Sequence, residues 1–139
     1  MRIRLLGTLS DEELLCASRL YAAADWAEEE AGFSFIREAV AGSFLAAGAF
    51  EDGRLVGMGR ALSDGCSDAY IQDVVVDPAF RGRGIGSALV TFLAGELRSR
   101  GVDWIALVGE PGTESFYARL GFERKEGFTL WKWRENRRE

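Results

Sequence analysis

The spacing of apolar positions changes period several times along the chain, and each change predicts an element. Residues 2–6 read as a first strand, and Ser10-Asp11-Glu12-Glu13 is a capping box that starts a helix. Leu14, Ala17, Tyr21 and Ala24 fall on one face of that helix, which is expected to fade near Glu28-Glu29-Glu30. A shorter helical piece follows at 36–40. Residues 44–50 and 54–62 predict a hairpin about Glu51-Asp52-Gly53, because Asp-Gly supplies the positive φ angles such turns require. After a polar loop at 63–68, residues 71–76 are β-branched and nearly all apolar, as suits a central strand buried on both faces. Asp77-Pro78 ends it by removing a backbone donor.

The next helix starts near Ser87 and carries a stripe of Gly86, Leu89, Val90, Leu93 and Leu97, with Gly86 placed for close packing on the strands and Gly101 as its terminator. Residues 104–108 predict a buried-type strand, Glu110-Pro111-Gly112 a turn and 113–120 a short helix. Residues 122–124 and 128–133 predict two closing strands, and 134–139 a frayed tail. These elements give one α/β (α+β) domain over 1–139.

Between the central strand and the helix stands Arg81-Gly82-Arg83-Gly84-Ile85-Gly86. Its glycines permit positive φ and let successive N–H groups turn toward one point, at the positive end of a helix dipole and beside two arginines. An anion such as phosphate is the expected occupant. The bland alternative is a charged loop joining strand to helix. A Walker loop would need Lys-Ser/Thr after the last glycine, and a dinucleotide fingerprint would need Gly or Ala where Ser87 stands.

Composition narrows the remaining classes. With 17 basic and 22 acidic side chains and a net charge of -5, the surface is unlike that of a general binder of nucleic acid or anionic membrane. Histidine is absent, which removes Ser-His-Asp and Cys-His chemistry and leaves no expectation of a metal site. Cys16 and Cys66 lie far apart, as reduced thiols of a cytoplasmic protein would. No apolar run is long enough to span a bilayer, and residues 1–7 lack a signal peptide's hydrophobic stretch.

Arg81-x-x-Gly84-x-Gly86, after a strand ending Val-Val-Asp-Pro, resembles the acyl-CoA pyrophosphate loop of the GCN5-related N-acetyltransferase (GNAT) family. Phe116-Tyr117-Ala118-Arg119-Leu120-Gly121-Phe122 is similar to that family's later helix, with its tyrosine before a Leu-Gly-Phe turn. The resemblance implies a mixed, mostly antiparallel central sheet flanked by helices, with acetyl-CoA as the cosubstrate and the acetyl group passing directly to an amine of a small-molecule or peptide acceptor. It implies that the main chain of Val74, Val75 and Val76 pairs with the pantetheine arm, and that the amides of Gly82, Arg83, Gly84, Ile85, Gly86 and Ser87, with Arg81, hold the pyrophosphate. It further implies that Tyr117 protonates the departing thiolate.

The segment joining the first two helices forms one wall of the acceptor site in that family. Here it offers Trp26 and Phe33 with nearby acid, and the alternative is that these aromatics anchor the core. Acyl transfer also needs a neutral amine, and an amine with a pKa of about 10 is mostly protonated at neutral pH, so a carboxylate is useful. Asp73 is the best candidate, with a structural carboxylate as the alternative. Strand alternation puts it on the face of Ile71 and Val75, with Gln72 on the face of Val74 and Val76. The chain departs from the family at Gln72, where glutamate is frequent and substrate would be met, and at Glu110-Pro111, where many members have asparagine. A non-catalytic acyl-CoA binder or sensor of the same fold is the rival reading. A closing strand or the Trp131 and Trp133 region offers a homodimer surface, and core packing accounts for those residues equally well.

Overall fold

The computed structural model describes residues 1–26 and 33–134, so the expected fading of the first helix at Glu28-Glu29-Glu30 lies outside the described residues. The chain forms two compact units that divide between Leu107 and Val108.

The first unit is built on a five-stranded sheet in the order β1-β2-β3-β4-β5. Its strands are β1 (Arg2–Leu5), β2 (Leu45–Glu51), β3 (Arg54–Ser63), β4 (Asp68–Val76) and β5 (Trp104–Leu107). Neighbours are antiparallel except for β4 and β5, which run parallel. Three helices accompany them: α1 (Asp11–Ala23), α2 (Ser34–Gly42) and α3 (Ile85–Ser99).

Local chemistry explains most of the boundaries. The Ser10 hydroxyl accepts from the Glu13 amide at 3.1 Å while the Glu13 carboxylate accepts from the Ser10 amide at 3.0 Å, so two orphan donors are satisfied at the start of α1. That hydrogen bond to the Ser10 backbone, aided by Arg4, holds the Glu13 carboxyl below its ordinary range. Asp52 and Gly53 both take positive φ in the β2–β3 turn. In the loop before β4, the Ser67 hydroxyl and the amides of Ser67, Cys66 and Asp68 all donate to Asp64, which lowers its pKa sharply.

The sheet is covered on both faces, and β3 shows how. Met58 joins Leu20, Tyr21, Ile36, Val40, Phe50 and Val75 in the core under α1 and α2. The alternate residues Gly57 and Gly59 face α3: a Cβ at Gly57 would lie 3.2 Å from both Ile85 and Leu89, and one at Gly59 3.2 Å from Leu93. The close approach of helix to sheet therefore rests on two strand glycines. Ile85, Leu89, Val90, Leu93 and Leu97 of α3 are buried, as its apolar stripe predicts.

The second unit contains α4 (Glu114–Arg119), preceded by a turn in which the Thr113 amide donates to the Glu110 carbonyl at 3.1 Å. Two expected elements are absent. Residues 122–134 form no strand, and Phe128, Leu130, Trp131 and Trp133 are 81%, 69%, 87% and 80% exposed. Alternation of apolar residues favours a strand, but a strand also needs a ladder of main-chain bonds to a neighbouring strand, and among the described residues the sheet ends at β5. Core packing likewise does not account for Trp131 and Trp133. Among the described residues no helix is long and apolar enough to cross a membrane.

Candidate active site

The β4–α3 connection has the expected form. Asp77 donates its amide to the Val56 carbonyl at 2.8 Å and accepts the Ala79 amide on its carboxylate at 2.9 Å, which turns the chain into a short 3₁₀ segment, Pro78–Phe80. Arg81 to Gly84 are exposed, and Arg83 lies over the Phe80 ring with its guanidinium carbon 4.9 Å from the centroid. Gly82 and Gly84 both have φ of 79°, a region that side chains disfavour. A Cβ at either would meet nothing within 4 Å, so the main chain is open to solvent there.

Gly84 is the N-cap of α3 and has no side chain to cap it. The amides of Gly82 through Ser87 donate to no acceptor among the described residues, and the first such bond is from Ala88 to the Gly84 carbonyl at 3.0 Å. Free donors, a helix dipole and two exposed arginines suit a multiply charged anion such as a pyrophosphate.

The other end of this arrangement lies on β4. Its parallel pairing with β5 ends at Ile71 with Leu107, so among the described residues Gln72 to Val76 have no strand neighbour on the side away from β3. Val74, Val75 and Val76 thus present one backbone edge that an extended ligand can pair with.

Asp73 is placed differently from the alternation rule. The β3–β4 register passes from Met58 opposite Val75 to Arg60 opposite Gln72, so one extra residue is accommodated on β4 opposite Gly59. Asp73 has φ of 55° within this bulge. Ile71 stands opposite Ala61, on the α3 side, whereas Gln72 stands opposite Arg60 and the Asp73 carboxylate bonds to that same Arg60. The bulge therefore puts Gln72 and Asp73 together on the α1 side with Val75, and takes Asp73 off the face of Ile71.

There Asp73 Oδ2 receives the Arg60 Nε–H at 2.8 Å and the Tyr21 hydroxyl at 2.9 Å. Burial, then the charge of Asp73, pushes the Tyr21 hydroxyl well above its ordinary pKa. For Arg60, burial works in the opposite direction, but the hydrogen bond and charge of Asp73 outweigh it and raise the pKa. Arg60 was not singled out by the sequence, and Tyr21 was read there only as part of one face of α1. A signal existed in the arginine within the otherwise apolar run Leu55-Val-Gly-Met-Gly-Arg-Ala-Leu62.

Of the expected acceptor-wall residues, Trp26 is 37% exposed and meets Tyr21 edge-on at 5.3 Å between centroids. Phe33 packs partly buried against the core, while Phe35, 44% exposed, takes the position beside Tyr21 at 6.0 Å. Residues 27–32 of this wall lie outside the described residues. In the second unit, Tyr117 is half-buried between Phe116 and Phe122, with centroids at 4.9 and 5.9 Å. Burial, then the charge of Glu110, raises its pKa, so the hydroxyl keeps its proton at neutral pH. Among the described residues no cluster of His, Cys, Asp and Glu could hold a metal ion.

Comparison with known proteins bears on the family and the fold. The sequence matches the Acetyltransferase (GNAT) family over residues 9–122. Over 70 residues it is 46% identical to serotonin N-acetyltransferase 2, chloroplastic, of Oryza sativa subsp. japonica, a match that spans 50% of this chain and 35% of the rice protein. The chain thus matches about a third of the length of that relative. A GNAT family acetyltransferase of Streptococcus pneumoniae superposes with a TM-score of 0.76 at 26% identity, covering 96% of this chain and 98% of the other. An aminoglycoside 6'-N-acetyltransferase solved with coenzyme A has the same fold, with a TM-score of 0.74 at 21% identity over 87% of this chain and 84% of that one. With the glycine-rich loop, the tyrosine helix and strands β2 to β5 all inside the matched span, the chain belongs to the GNAT acetyltransferase family.

Proposed function

We propose that the protein is an N-acetyltransferase that moves an acetyl group from acetyl-CoA directly to an amine. The observation that carries this is the set of unpaired amides from Gly82 to Ser87 at the uncapped head of α3, next to the unpaired edge of β4. In this reading those amides and Arg81 hold the pyrophosphate, and Val74 to Val76 hold the pantetheine arm. The amine nitrogen attacks the acyl carbon, the carbon–sulfur bond breaks, and Tyr117 gives its proton to the thiolate.

Asp73 Oδ1 takes no hydrogen bond among the described residues, which leaves it to receive the amine's proton, directly or through water. Trp26, Phe33 and Gln72 belong to the acceptor side in this proposal, and the exposed ring of Phe35 joins them. Aromatic surface near a carboxylate suits an amine with an apolar portion. The rice relative's name makes arylalkylamines the first acceptors to test.

The test is thiol release on mixing acetyl-CoA with a panel of arylalkylamines, polyamines, amino acids, aminoglycosides and lysine peptides. Amine-dependent release is expected. Tyr117→Phe should then lower kcat by about a hundredfold, the low end for a lost proton donor, while the KM for acetyl-CoA stays within about threefold. Equal turnover in the variant rejects the acid role. One observation favours a second reading, that of a non-catalytic acyl-CoA binder: the candidate base already has Arg60 and Tyr21 as partners. Calorimetric binding of acetyl-CoA without thiol release on any amine would support it.

A further inference from the structure

We infer that Arg60 and Tyr21 are positioning residues that clamp Asp73 in a left-handed conformation and so hold open the β4 edge to which the coenzyme arm binds. The inference rests on the reading of Val74 to Val76 as that edge.

Three non-glycine residues have positive φ among the described residues, Asp25, Asp52 and Asp73. Asp25 and Asp52 lie in turns, whereas Asp73 lies within a strand. A residue with a Cβ keeps such a backbone only where its surroundings over-determine it. Here they do. Oδ2 is bonded by Arg60 and Tyr21, which lie 13 and 52 residues away in sequence. Arg60 is itself fixed through Nη1, which donates to Ser43 Oγ at 3.3 Å, and Ser43 Oγ donates to the Ala39 carbonyl of α2 at 2.7 Å. Tyr21 is 3% exposed and held between the rings of Trp26 and Phe35.

The opposite strand makes room for the bulge. A Cβ at Gly59 would come within 3.2 Å of a Val74 methyl and 3.7 Å of the Val74 Cα. The consequence lies on the far side of β4, where pairing with β5 stops at Ile71, two residues before the clamped aspartate. Without the clamp, Asp73 would relax toward an extended conformation. The bulge would then slip, and the geometry of the Val74–Val76 edge would change with it.

Four variants test this by calorimetric titration with acetyl-CoA, each checked for folding by circular dichroism and melting temperature. Arg60→Met should weaken binding by about tenfold or more, since one ion-pair partner of a strained residue is lost. Tyr21→Phe, which keeps the ring and loses the hydroxyl alone, should weaken it by about threefold. Asp73→Gly should bind within about twofold of the parent although its turnover falls, because glycine takes this φ without a clamp.

The decisive case is Arg60→Met with Asp73→Gly. It should bind like Asp73→Gly, a rescue that general destabilisation would not produce. Folded Arg60→Met binding as tightly as the parent overturns the clamp, and so does a double variant as weak as Arg60→Met. If Arg60→Met does not fold, an unchanged affinity in Tyr21→Phe overturns it instead. No binding by the parent itself would overturn the coenzyme reading, so the two failures are distinguishable.

Discussion

The loop ahead of α3 and the bulge in β4 both depend on left-handed backbone, yet they reach it by different means. In the loop, Gly82 and Gly84 adopt φ of 79° with no Cβ to oppose it and no side chain to hold it. In the bulge, Asp73 adopts φ of 55° with a Cβ, and three other side chains, Arg60, Tyr21 and Ser43, lie in the chain of bonds that secures it. The loop's conformation is local and works through main-chain donors. The bulge's is a property of the tertiary structure, and its irregularity is shared between elements far apart in sequence.

The largest expected effect follows from the local character of the loop. Arg81→Ala with Gly84→Asp puts a carboxylate where phosphate would lie and removes a cation, so acetyl-CoA affinity measured by calorimetry should fall by more than about a hundredfold. The melting temperature should fall by only a few degrees, because a Cβ at position 84 meets nothing and the cost is the strain of its positive φ. A folded variant with unchanged affinity would break the comparison at its first term.

The next effect tests the bulge through pH. The ordinary value for Tyr21 is 10.0 and the folded chain raises it, so the folded state binds the proton more tightly than the unfolded state. This contribution to stability is complete below about pH 10 and is lost as pH rises through the higher folded pKa. Urea denaturation between pH 8 and 11 should therefore show the parent losing stability above pH 10 more steeply than Tyr21→Phe, by at most about 1.4 kcal/mol per pH unit. Parallel slopes would mean that neither burial nor Asp73 raises the pKa of this phenol. The smallest effect returns to the loop. Gly84→Ala should cost about 1 kcal/mol in urea denaturation, all of it backbone strain since the site is open.

Much of the fold was legible because its signals are short-range. The capping box placed α1 correctly, Asp-Gly placed the hairpin, and the stripe of α3 placed its buried face. The glycine loop was legible for the same reason, since each glycine acts where it stands. The close packing of α3 also draws on Gly57 and Gly59 of β3, which the sequence reading did not single out and whose glycine spacing is the strand's own period of two. The closing strands at 122–124 and 128–133 were expected from alternation and did not form, because pairing belongs to two segments and only one was being read.

By itself, then, the sequence determined the order of the elements as far as α4, the glycine-rich loop that leads into α3 and the family resemblance carried by that loop and by Tyr117. Each of these rests on residues within a few positions of one another, where geometry is dictated by φ preference, capping and period. Only the tertiary structure decided which face Asp73 takes, that Arg60 and Tyr21 hold it, and where β4 parts from β5. A single extra residue in a strand reverses every later side chain, and whether it is accommodated depends on partners that folding alone brings into reach.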